Sequence, residues 1–128
     1  MLKNFNSVQL LFACCTLEQE FEIETWKKVW FNATGNAYKN CQVQPDLTRW
    51  EHVSESCVQF SSRADGLMKV SKHVIIKKAS TFESKQVEIT TDMHEMASND
   101  VLVAMCHFVA ACHKSFWQPT LIMLKGVD

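Results

Sequence analysis

At 128 residues the chain fits one domain and is long enough to bury a core without disulfide staples. Hydrophobic residues make up 47%, which excludes a disordered chain. With 13 basic and 14 acidic residues the net charge is −1, so no overall field favours nucleic acid or an anionic membrane surface.

The start, MLKNFNSVQLLFACC, carries one lysine and a short apolar stretch of signal-peptide type. It lacks a small-residue cleavage site, and Val8 to Cys15 reads as a strand covered on both faces. From Leu17 to Thr25 the pattern alternates. Leu17, Gln19, Phe21 and Ile23 fall on one side, and Glu18, Glu20, Glu22 and Glu24 on the other. Period two is the signature of a pleated strand with one wet face. Four aligned glutamates would serve as an acidic docking edge or a cation site, or simply as a solvated face that discourages edge pairing. Trp26 to Phe31 reads as a short third strand, and Asn32 to Asn40 has loop chemistry, giving a candidate connector over 32–44. Asn32-Ala33-Thr34 matches a glycosylation acceptor, which matters only in a secreted chain.

Pro45-Asp46 predicts a helix opened by an Asp46 cap, with Trp50, Val53, Cys57 and Phe60 on one stripe. Ser61, Ser62 and Gly66 supply the expected stop. Lys72 to Ala79 and Gln86 to Thr91 then read as two strands joined by a hairpin loop over Ser80 to Lys85. Ser98 to Pro119 has capping residues in Ser98, Asn99 and Asp100 and a stop in Pro119. Between Val101 and Cys112 only His107 is not apolar, which predicts a helix buried in the core. The run is shorter than the roughly 20 residues that span a bilayer, so no membrane partner is expected. Thr120 to Leu124 reads as a short closing strand.

Six cysteines lie mostly in apolar runs, where a free thiol behaves as a small hydrophobe in a reducing compartment. Cys106-His107 and Cys112-His113 have the residue types of a metal site but no second ligand pair, so no metal and no cofactor is expected. No cysteine sits in an electropositive setting, and Asp92, His94 and Glu95 read as surface residues. There is no phosphate loop. No catalytic residue is assigned, and a small cysteine- or metal-dependent enzyme is the disfavoured reading. Lys72, Lys77, Lys78 and Lys85 gather around the predicted hairpin as candidate contacts for DNA or a partner. Phe116 and Trp117 are the candidate apolar contacts.

The order VQLLFACC, an alternating strand, VWFN, a loop, then QVQPDLTRWEHV, KHVIIKKAS and VLVAMCHFVAACHKSFWQPTLIML resembles a DNA-damage checkpoint sliding-clamp subunit, a relative of the replication clamp. The resemblance implies that Val101 to Met105 is strand and only His107 to Phe116 is helix. It also implies a nuclear, non-enzymatic subunit that assembles with partners around DNA as a ring.

The expected architecture is a single α+β domain over 1–128, a largely antiparallel sheet of six or so strands with two helices packed on one face. The alternative function is a small adaptor module, host or viral, in the cytoplasm. It would bind a protein, as a hetero- or homo-oligomer, through a sheet edge or an exposed apolar patch.

Overall fold

The structure is a computed structural model and describes residues 7–39, 44–46, 48–77 and 82–125. Among these residues there is no strand: helices α1 (Ser7–Glu20), α2 (Ile23–Thr34), α3 (Trp50–Lys77), α4 (Ser84–Ala97), α5 (Asp100–Cys112) and α6 (Gln118–Lys125) carry the fold. A π turn, His113–Trp117, joins α5 to α6. The predicted α+β class with its antiparallel sheet is therefore overturned, and the sliding-clamp expectation falls with it. Val101 to Met105 is helical along its whole length, so neither the strand that the clamp resemblance implies nor its split segment exists. Cys41, Lys78, Ala79 and Ser80 lie outside the described residues.

The 28-residue α3 is the axis of the bundle and packs against α1, α2, α4, α5 and the π turn. Its core line reads Val53, Cys57, Phe60, Leu67, Val70, Val74, in steps of three, four or seven. Those steps keep one stripe in phase for the length of the helix. The stripe beginning at Trp50 is thus as predicted, but the stop at Gly66 is not. Gly66 stays helical, and its missing side chain admits the Trp30 ring of α2, which a Cβ there would overlap. The predicted strand from Lys72 onward is the last two turns of α3. Val74 is buried there and Ile76 faces outward. β-Branched residues have only a weak preference for strands, and packing along α3 overrides it.

The alternation from Leu17 to Ile23 also resolves into helices. Leu10, Cys14, Leu17 and Phe21 are buried at spacings of four, three and four, while Ile23 is exposed in the first turn of α2. The predicted strand Trp26 to Phe31 is the body of α2, whose buried residues Trp26, Val29 and Trp30 form one helical face. Gly35 ends α2 at φ 76°, its N–H bonded to the carbonyl of Phe31 at 2.8 Å. Asp46 does not cap α3. Its Oδ1 accepts from the backbone and hydroxyl of Thr48, at 3.0 and 2.7 Å, in a turn that precedes the helix. The predicted strand Gln86 to Thr91 lies in α4, which opens on a reciprocal capping box between Glu83 and Gln86.

Asn99 caps α5, accepting from the N–H groups of Val101 and Leu102, so the predicted start of that helix is confirmed. Its predicted end is not, because the helix runs on through Pro119. A proline in a helix lacks an N–H and collides with the carbonyl four residues back. Here the chain widens just before it, and the Gln118 N–H bonds back to His113, five residues earlier. The π turn thereby carries helical structure into α6, and the predicted closing strand Thr120 to Leu124 is helix as well.

Cys14, Cys15, Cys57 and Cys106 are buried free thiols. Burial pushes the Cys15 thiol up to about 11, with the nearby Glu18 charge adding to the effect. Cys14 is raised further, chiefly by desolvation. A folded-state value above the unfolded one leaves stability whole below the normal thiol range and removes it as pH climbs through the raised value. Under reducing conditions the melting temperature should therefore hold at neutral pH and fall steadily between about pH 9 and 11. Each thiol that ionises only on unfolding contributes up to about 1.4 kcal/mol per pH unit. Melts in this range that stay flat would show that these thiols are hydrated in the folded chain.

Candidate functional site

The predicted burial of α5 is only half realised. Cys106, Val109 and Ala110 face the core, but Val101, Met105, Phe108 and Phe116, four, three and eight residues apart, form an outward stripe. Phe108 is 64% exposed and Phe116 71%. A helix apolar nearly all round is stable in water only when both faces are covered, and this one has a single face covered.

Beside the stripe lies an open groove of about 500 Å³. Trp50 and Ser54 from the first turns of α3 form one wall, and Met105, Phe108 and Cys112 of α5 the other. Phe116, Trp117 and Thr120 close it where the π turn passes into α6. The groove follows directly from two local features. Burial of Cys106, Val109 and Ala110 against the core leaves Phe108 outward, and the π turn places Phe116 and Trp117 on the groove with Trp50 and Ser54 of α3.

The polar feature of the groove is a pair that sequence spacing does not reveal, Ser54 Oγ and His113 Nδ1 at 2.7 Å. Ser54 Oγ also lies 3.0 Å from the Glu51 carbonyl one turn back on α3, so the hydroxyl is held between its own helix and the imidazole. The same arrangement recurs between Ser71 and His94, 2.7 Å apart, with Ser71 donating to the Met68 carbonyl. Ser61 meets His107 at 2.7 Å. Three serines of α3 thus latch histidines of α4, α5 and the π turn, which is the work of structural cross-ties.

The other candidate chemistry disperses. Among the described residues no three His, Cys, Asp or Glu side chains gather as a metal site. Cys106 lies against Cys57, and the hydrogen bond they share pushes the Cys57 thiol up, with burial adding to it, while the same bond draws the Cys106 thiol down against the opposing effect of burial. The four glutamates do not share a face: Glu18 is half-buried and paired with Arg63, while Glu20 pairs with Lys85 at 3.7 Å and Glu24 with Lys27 at 3.6 Å.

Of the predicted lysines, Lys72 and Lys77 are exposed on α3, and Lys85 is on the first turn of α4. The predicted hairpin that would gather them is replaced by the end of α3 and the start of α4. Five helical positions set Lys72 and Lys77 about 140° apart. Phe116 and Trp117, by contrast, come together on the groove, where Trp50 and Phe108 join them. The sequence signal that finds Phe108 is the unbroken apolar run of α5, which outnumbers what one core-facing stripe can use. Among the described residues no helix is long and apolar enough to cross a membrane. Comparisons with protein-family models, with curated proteins and with solved structures return no match for this chain.

Proposed function

We propose that this chain is a non-enzymatic protein-binding module, an adaptor that takes an apolar helical segment of a partner into the groove between α3 and the α5–π–α6 rod. The observation that carries this reading is the outward Phe108–Phe116 stripe bordering that groove. Aromatic side chains exposed in a cluster on a helix face supply the anchors of helix-in-groove recognition. The three serine–histidine contacts from α3, which recur along the helix as cross-ties between elements, favour contact over bond-making.

The test is titration of the isotope-labelled chain with a synthetic amphipathic leucine–lysine helical peptide, followed by amide NMR shifts. The expected shifts centre on α5 and the first two turns of α3. Phe108→Glu, at an exposed position that leaves the bundle intact, should weaken binding by roughly tenfold or more, equivalent to about 1.4 kcal/mol. Shifts confined to another face, or the same affinity in Phe108→Glu, would overturn the reading.

A further inference from the structure

The groove has a neighbour whose covering is also missing. No residue of α6 is buried, and Met123 and Leu124 stand almost fully in solvent. Ile122, Met123 and Leu124 therefore present an apolar surface that nothing among the described residues covers. It cannot use the groove of its own chain. The π turn continues α5 into α6 as one rod, and Phe116, Trp117 and Thr120 of that rod are themselves the groove's lining. Folding α6 back would require breaking the helix that builds the site.

From this geometry we infer that the occupant of the groove is α6 of a second copy of this chain, with two chains exchanging α6 across a two-fold axis. The inference rests on the groove being a helix-binding site and names its partner. Self-association of this kind is isologous: the same groove and the same rod are used twice, and the assembly closes at two.

A further observation supports a second copy. From Val101 to Leu124, eight large apolar side chains are between 37% and 80% exposed. At on the order of 100 Å² each they provide about 800 Å² per copy, the size of one side of a standard protein interface.

Sedimentation velocity across a dilution series tests this with three chains. Wild type should be a dimer that dissociates on dilution. Phe108→Glu removes a groove and leaves α6 intact, while Met123→Glu with Leu124→Glu spoils α6 and leaves the groove intact. Each variant alone should be a monomer with unchanged helical circular dichroism, since all three positions are exposed. Mixed together, the two variants should form a dimer again, because one sound α6 still meets one sound groove. The mixed dimer should be at least roughly tenfold weaker than wild type, having lost one of two junctions.

A monomeric wild type would overturn the exchange. So would a dimer that survives either variant, or one that both variants abolish and mixing does not restore, since that outcome indicates α5 faces stacked side by side. A wild-type monomer that binds the leucine–lysine peptide would sink the exchange while leaving the adaptor reading standing. A monomer that instead floats with phosphatidylcholine vesicles and ignores the peptide would sink both.

Discussion

Replacing Arg63 by methionine should lower the unfolding free energy by about 3–5 kcal/mol, more than almost any other single change outside the apolar core. Arg63 occupies a core position of the α3 stripe, between Phe60 and Leu67, and is only 8% exposed. Its Nη1 donates to Glu18 Oε1 at 3.1 Å and to the hydroxyl of Tyr38, which itself donates to Glu18 at 2.6 Å. Its guanidinium also lies 5.4 Å from the Tyr38 ring centroid. Tyr38 is packed edge-on against Trp30 at 5.1 Å and Trp26 at 6.0 Å. One buried charge on α3 therefore ties α1 and the α2–α3 connection to the bundle. Removing it strands the Glu18 carboxylate in a site with little water, and the cost of an unpaired buried charge dominates. The melting temperature should drop by roughly 10–20 °C. Changing Arg63→Met, Glu18→Leu and Tyr38→Phe together should recover much of the loss, because the stranded charge is gone. Urea midpoints at constant slope measure both effects. A single-variant loss under about 1 kcal/mol would mean that the cluster is hydrated like a surface pair.

Arg63 also shows what the sequence can and cannot disclose. The stripe Trp50, Val53, Cys57, Phe60 is legible because its partners are three and four residues apart. The stripe's continuation is hidden because an arginine and a glycine follow, and each mimics a stop. Only the facing residues explain them: Glu18 neutralises Arg63, and the Trp30 ring fills the space at Gly66. The sheet expectation fails for a related reason. From Leu17 to Ile23 period two and a three-four spacing coexist, and the four glutamates make the shorter period stand out. The helix pair turns at Phe21 and Glu22, so the alternation runs across two elements and belongs to neither. At the candidate site, Phe116 and Trp117 are readable as an aromatic cluster ahead of a proline. Ser54 and His113 are not, since 59 residues separate them and only the packing of α3 against the rod joins them.

Phe60→Ala and Trp50→Ala should part company although both residues belong to one stripe of α3. Phe60 is wholly buried and makes a ring contact with His107 at 6.1 Å between centroids. Its truncation leaves a cavity between α3 and α5 and should cost about 3–5 kcal/mol. From sequence alone the same figure attaches to Trp50, as the first residue of a core stripe. The structure moves that residue to the end of the bundle, where it is partly exposed and forms a wall of the groove. A side chain with solvent on one side loses less transfer energy and leaves no closed void, so Trp50→Ala should cost only about 1–2 kcal/mol. Its larger effect should fall on binding, with the leucine–lysine peptide weakened by roughly tenfold or more, as expected for an aromatic anchor. Phe60→Ala should leave the affinity of the folded fraction near wild type, because Phe60 does not line the groove. Chemical denaturation and peptide titration of the two variants side by side decide the matter. Equal stability losses, or a Trp50→Ala chain that binds as tightly as wild type, would show that the wall of the groove is ordinary core and that recognition lies on another face.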